Sequence, residues 1–170
     1  RGLGDVYKRQ VAGDCIKSGE FSVKCMHPCD GYDYESANDY SAVYLVEYGD
    51  FSMLMTGDAE KKAEKCIVED VNRIAGDADT SARLVSVNIL KVGHHGSKGA
   101  SSEEFLSYIK PETALISCGA GNSYGHPHTE TLQRLSGIGA KVYRTDESGE
   151  IAVRVRDGSY KIEAFKALKG

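Results

Sequence analysis

One stretch constrains this chain more than any other: Leu90 to Leu106, LKVGHHGSKGASSEEFL. An apolar segment from Val85 to Val92 reads as a buried strand, breaks into Gly93-His94-His95-Gly96-Ser97, and gives way to a helix capped at Ser101 or Ser102. A strand that delivers glycine-flanked histidines at its C-terminal end is how α/β proteins present a reactive group. A neutral imidazole there can bind a metal or move a proton, and the glycines let the backbone turn sharply and come close to a ligand. Neighbours on an extended backbone point opposite ways, so one of His94 and His95 should face a site and the other its rim. The competing reading is a surface loop that happens to carry two histidines.

The rest of the chain supplies a frame for that stretch. Upstream, Ile16, then Phe21, Val23 and Cys25, follow strand periodicity on either side of a Lys17-Ser18-Gly19-Glu20 turn. Asp30 to Asp39 is a polar loop. Ala42 to Tyr48 and Phe51 to Thr56 form a hairpin about Gly49-Asp50. Ala59 to Ile74 is the clearest helix, with Ala63, Ile67, Val71 and Ile74 on one stripe and Lys61, Lys62, Glu64, Lys65, Glu69 and Asp70 off it. Gly76 ends it, and Asp77 to Arg83 is a solvated loop. Downstream, a helix to Ile109 stops at Pro111, and Thr113 to Ser117 is a strand. A glycine-rich loop, CGAGNSYGHPH, leads into a helix from Glu130 to Leu135 with Thr129 as its cap. Lys141 to Arg144 is a strand, Asp146 to Gly149 a turn, and Ile151 to Val155 with Tyr160 to Phe165 a last hairpin. This order of elements implies one α/β domain, a mixed sheet with helices packed on it.

The 170 residues fit a single domain with a sizeable core. The balance of 21 basic and 25 acidic residues gives a net charge of −4, so the overall field does not attract nucleic acid. No apolar run reaches the roughly 20 residues of a membrane helix, and no basic-then-apolar leader is present. Five cysteines without a C-x-x-C pair read as buried or half-buried thiols of a reducing compartment. The first ten residues, RGLGDVYKRQ, read as a foreign adaptor and are set outside the fold.

Several side chains could carry chemistry. Asp58, between a strand and a helix in LMTGDAE, can bridge two cations or cap the helix. His126 and His128 flank Pro127, and an extended segment would place both on one side. They could bind a metal, hold a phosphate or donate a proton, or be incidental to a loop leading into a helix. Ser97, Lys98, Asn122 and Tyr124 are polar groups able to contact a phosphate oxygen. His27, before Pro28, reads as bland, and Asn38 and Ser41 read as turn-formers.

Taken together, NDYSAVYLVEYGDFSMLMTGDAE, ILKVGHHGSKGASSEEFL, ISCGAGNSYGHPHTETLQRL and VYRTDESGEI resemble the C-terminal half of a metallo-β-lactamase-fold hydrolase, of the ComEC-like branch that is attached to DNA-uptake channels or stands alone. The resemblance runs from about Gly19 to Val155. It implies half of an αββα sandwich, an α+β arrangement with helices on the outer face of a mixed sheet. It also implies two divalent metal ions, zinc or manganese, with a bridging water that attacks a phosphodiester. Asp58 matches the bridging aspartate. Setting VGHHG against the family's V-x-G-H-G favours His95 as a ligand, with His94 supporting it or giving a proton. His126 and His128 match an element near the substrate.

The sequence lacks the family's H-x-H-x-D-H segment, which supplies most ligands, whereas a closed zinc site takes about four. The expectation is a partial domain, its N-terminal half missing, that binds metal weakly and is inactive alone. Its parent would hydrolyse DNA or a smaller phosphodiester, with a membrane channel as a possible partner domain. Its sheet face, lacking its mate, would favour self-association. Two alternatives stand beside this reading: a non-catalytic module that binds nucleic acid or protein, and a small independent zinc site built from Asp58, His95, His126 and His128. The compartment, cytoplasmic or outside the membrane, is left open by the sequence.

Overall fold

The computed structural model describes residues 11–29, 31–34, 36–71 and 84–165. The adaptor reading of residues 1–10, the helix end near Ile74 and the loop from Asp77 to Arg83 lie outside the described residues.

Among the described residues seven strands form one sheet in sequential order: β1 Cys15–Ser18, β2 Phe21–His27, β3 Val43–Tyr48, β4 Phe51–Met55, β5 Ile89–Lys91, β6 Thr113–Ile116 and β7 Lys141–Arg144. The first four are antiparallel. Two-residue turns join β1 to β2 and β3 to β4, each opening on a glycine with positive φ, Gly19 and Gly49. From β4 onward the strands are parallel. Parallel neighbours need right-handed crossovers. A strand order that advances in one direction then puts every crossover helix on the same face. Among the described residues these helices are α1 Lys61–Glu69, α2 Glu103–Ile109 and α3 Thr129–Gly137. A single turn, α4 Thr145–Ser148, follows β7. No helix among the described residues is long and apolar enough to cross a membrane.

The main core lies between helices and sheet, where Leu45, Leu54, Leu90, Ala114 and Ile116 meet Ile67, Phe105, Leu106 and Leu135. On the opposite face Phe51, Ile89 and Leu115 are covered by a separate hairpin, β8 Glu150–Arg156 and β9 Ser159–Phe165, through Ile151, Val153, Val155, Tyr160 and Ile162. The sheet face expected to lie bare is thus covered over its parallel half. Ile16, Phe21 and Tyr48, at the antiparallel end, remain exposed at 65%, 40% and 38%.

Four expectations need correction. The strand from Val85 is only Ile89–Lys91 long. Leu84 and Val87 are buried, but Val87 makes its backbone hydrogen bonds with Ile109, the last residue of α2, and Glu112, just before β6, rather than with a strand. The cap of α3 is His128, and Thr129 is its first helical residue. Glu64 is buried at 1% exposure although it lies off the apolar stripe; its carboxylate accepts from the N–H groups of Ser101 and Ser102 at 2.5 and 2.9 Å. Cys29 and Cys66 are not thiols but a disulfide that ties the end of β2 to α1. Cys15, Cys25 and Cys118 are free.

Candidate functional site

The parallel strands all end at one edge of the sheet, so the segments that follow them converge: Thr56-Gly57-Asp58 after β4, Gly93 to Gly96 after β5, and the loop to His128 after β6. The first two are joined by hydrogen bonds from Thr56 Oγ1 to the Lys91 carbonyl (2.7 Å) and from His94 N to the Gly57 carbonyl (3.0 Å). Two glycines are required here by space. A Cβ on Gly93 would stand 2.8 Å from the Ala59 carbonyl oxygen, and one on Gly96 would stand 2.6 Å from Pro127 Cβ.

His94 and His95 both adopt left-handed backbone angles, φ 43° and 55°. For non-glycine residues this costs about 1–2 kcal/mol each, and such strain is held where surrounding contacts enforce it. The turn replaces the extended backbone assumed in the sequence reading, and it brings both rings to one side. Both rings lie beside His126, at centroid distances of 5.5 Å for His94 and 6.3 Å for His95.

Each ring is held by its Nδ1. His95 Nδ1 donates to the Ser117 carbonyl at 2.6 Å, and His94 Nδ1 donates to Glu60 Oε1 at 2.8 Å. The Asn38 side-chain amide lies 3.4 Å from the same His94 nitrogen. A proton fixed on Nδ1 leaves the Nε2 lone pair of a neutral imidazole free, the arrangement found in metal-ligating histidines. His95 Nε2 lies 3.9 Å from Asp58 Oδ1, and both side chains are about half exposed. Asp58 is in turn held by its own backbone, whose N–H donates to Ser41 Oγ at 3.2 Å.

The GHPH segment folds back over this floor. Asn122 clasps it at both ends of one residue: its Nδ2 donates to the His126 carbonyl at 2.6 Å, and its Oδ1 accepts from His126 N at 3.0 Å. His128 N donates to the Gly96 carbonyl at 2.9 Å, while His128 Nδ1 accepts from Lys98 N at 3.2 Å. The His126 and His128 rings meet edge to face at 4.9 Å, and the exposed Tyr124 ring stacks on His126 at 5.8 Å. Partial burial, then the neighbouring His128, His94 and His95, push the His126 imidazole below its usual value and keep it neutral. Ser97 is buried and its hydroxyl accepts from Gly99 N, so Ser97 and Asn122 spend their polar atoms holding loops. Lys98 lines a neighbouring cavity of about 720 Å³ together with Lys61, Lys62, Glu60 and Asp39. Asp39 Oδ1 is buried there without a hydrogen-bond partner.

Asp58 and His95 offer two donors at nearly the spacing of ligands on one ion, which is about 3.3 Å for bonds of about 2.0 Å. Among the described residues, no three metal-binding groups of this cleft lie within 4.8 Å of one another. The donors present fit one edge of a metal centre and do not close it. The independent site of Asp58, His95, His126 and His128 is not assembled, since His128 Nδ1 is already occupied by the Lys98 N–H.

Several residues that position this cleft escape sequence reasoning. Glu60 orients His94, and Ser41 and Asn38 act on Asp58 and His94 rather than merely forming a turn. Arg134 gathers the carbonyls of Lys98, Ala100 and Ser101. Lys91 donates to the Val92 carbonyl; burial lowers its pKa, and the nearby Asp58 charge opposes that shift. The available signal was their place within or beside the conspicuous motifs, NDYS, GDAE and LKVGHHG.

No family model matches the chain. The chain is 37% identical over 145 residues to ComE operon protein 3 of Bacillus subtilis, a match covering 85% of this chain and 17% of that protein. It is 37% identical over 116 residues to Recombination protein 2 of Haemophilus influenzae, covering 68% of this chain and 13% of that protein. It is 31% identical over 150 residues to Competence protein ComA of Neisseria gonorrhoeae, covering 82% of this chain and 20% of that protein. The chain therefore spans about a sixth of the length of the curated relatives it matches.

Proposed function

Since this chain belongs to the ComEC-like competence proteins, we propose that its histidine cleft is the substrate-facing half of a metal-dependent phosphodiesterase of the metallo-β-lactamase fold, acting on DNA. The observation that carries this reading is the convergence of Asp58 with the free Nε2 of His95, both held in place from behind, with His94 and His126 alongside. Asp58 would bridge the ions and His95 would ligate one. When bound, two such ions supply an activated water and positive charge for the substrate oxygens.

The chain's other residues have separate tasks. Glu60 holds His94 by its Nδ1, which leaves Nε2 with a lone pair for the cleft. His128 keeps its proton on Nε2, because Nδ1 is an acceptor, and can donate to a phosphate oxygen or a leaving group. The neutral His126, flanked by the exposed Tyr124, offers a stacking surface for a base. Lys61, Lys62, Lys98 and Arg134 line the adjoining cavity opposite Asp39, Glu60, Glu103 and Glu104, so individual cations there can meet a phosphate but the cavity carries no net positive charge.

The test is cleavage of end-labelled single-stranded DNA with manganese or zinc, by this chain and by a version joined to a segment carrying H-x-H-x-D-H. Cleavage is expected only from the joined protein, and it should vanish with chelator and with Asp58→Ala. A joined, folded protein that binds metal yet cleaves nothing would overturn the reading. The incomplete donor set, with no three metal-binding groups of the cleft close together among the described residues, also supports a second reading, a non-catalytic DNA-binding module. In that case salt-sensitive DNA binding would persist unchanged in Asp58→Ala and no cleavage would appear.

A further inference from the structure

A second cluster lies behind the cleft, reached through Ser41. His27 Nδ1 donates to the Ser41 carbonyl at 2.8 Å, and Ser41 Oγ in turn accepts from Asp58 N. Because a carbonyl can only accept, the His27 proton sits on Nδ1 and Nε2 carries the lone pair. That lone pair accepts from the Tyr34 hydroxyl at 2.8 Å. Beside it are the sulfurs of Cys29 and Cys66. One ligand atom from each of His27, Cys29 and Cys66 falls within 4.8 Å of the others, all three residues are buried, and no other such trio occurs among the described residues.

We propose that His27, Cys29 and Cys66 form a redox-gated metal site of the zinc class, closed when the cysteines are oxidised and open to metal when they are reduced. The ligand types are those of Cys₂His centres, with the second imidazole nitrogen anchored on a backbone carbonyl as such centres require. The charges also balance. Two thiolates and a neutral imidazole around a divalent ion leave no net charge, which a site with 0–4% exposure demands. For His27 Nε2 to bind the ion, the Tyr34 hydroxyl must turn its hydrogen away from that nitrogen; its oxygen, which already accepts from Cys29 N, is then able to serve as a fourth donor.

The gating step is thiol–disulfide exchange. A dithiol reductant attacks one sulfur of the Cys29–Cys66 bond, a second exchange frees both cysteines as thiols, and the reductant becomes a disulfide. Metal then displaces the two thiol protons into solvent. This cluster shares no residue with the cleft, so the inference does not rest on the proposed hydrolase.

The test titrates cobalt(II) into the 170-residue chain, oxidised and after reduction with dithiothreitol and anaerobic desalting. The reduced chain should develop thiolate-to-cobalt absorption with about one equivalent bound, and the oxidised chain should show none. The band should survive in the triple variant Cys15→Ser, Cys25→Ala, Cys118→Ser, and in Asp58→Ala, and be lost in Cys29→Ser. Circular dichroism accompanies each titration. Should Cys29→Ser not fold, His27→Gln replaces it, with at least tenfold weaker cobalt binding expected. A reduced, folded chain without the band overturns the proposal. So does a triple variant that loses it, or a Cys29→Ser or His27→Gln variant that binds cobalt as before.

Discussion

The dipeptide His-Pro occurs twice in this chain, and its two histidines have opposite fates. His27 is fully buried, with both ring nitrogens occupied, by Ser41 and Tyr34. His126 sits in an open cleft among three other histidines, its ring touching aromatic faces and its backbone, not its imidazole, held by Asn122. With the Cys29–Cys66 disulfide closed, the same group is a fold element where its hydrogen bonds are complete and water is absent, and a chemical tool where a lone pair and solvent access remain. What separates the two is the strand end each follows. β2 turns inward under α1, while β6 runs out at the edge where the parallel strands stop.

The contrast can be broken most forcefully at His27. His27→Ala should cost about 2–4 kcal/mol in urea denaturation, because it opens a cavity and strands the Ser41 carbonyl and the buried Tyr34 hydroxyl. His126→Ala should change stability by no more than about 0.5 kcal/mol. Equal losses at the two sites would erase the distinction. Gly96→Ala comes next, at about 2–3 kcal/mol, since the added Cβ meets Pro127 and alanine disfavours a φ of 84°. It should also displace His128, seen as a chemical-shift change at His128 N–H.

Asn122→Ala should cost about 1 kcal/mol but disorder the GHPH loop, so that hydrogen exchange at His126 N rises while that of Leu45 N does not. The smallest effect is on pH dependence. Burial lowers the pKa of His27, so the unfolded chain binds more protons. The stabilisation is complete above the ordinary histidine value of about 6.5 and is lost as pH falls from there toward the folded value. His27→Gln should flatten the decline in stability between about pH 7 and 5 that the parent chain shows. An unchanged slope would assign that decline elsewhere.

The parts of the molecule legible in the sequence are those with a short period or a strong local rule. β3 and β4 follow from alternation about Gly49-Asp50, α2 from Ser102 and Pro111, and the β8–β9 hairpin from Asp157-Gly158. The glycines of GHHG announce a close approach, and Gly93 and Gly96 make one. What escaped depends on distant partners. Glu64 looks like a solvated helix residue until Ser101 and Ser102, 37 and 38 positions away, supply its donors. Cys29 and Cys66 are paired across a separation of 37 residues that no spacing rule marks. The apolar run before Lys91 promised a long strand, yet Val87 bonds to the end of α2 and to Glu112 instead. The left-handed turn at His94 and His95 is invisible to any alternation argument.

The most direct test of the distinction between the two histidine environments is a long-range ¹H–¹⁵N spectrum of the five imidazoles, recorded on the oxidised chain before and after manganese(II) is added. His27, His94 and His95 should show the Nδ1–H tautomer and His128 the Nε2–H tautomer. Manganese should broaden His95 Nε2 first, then His94 and His126, while His27 stays sharp, and Asp58→Ala should abolish the broadening. If His95 is untouched, or if His27 broadens as readily as the cleft histidines, the division into a structural cluster and a metal-facing one is wrong.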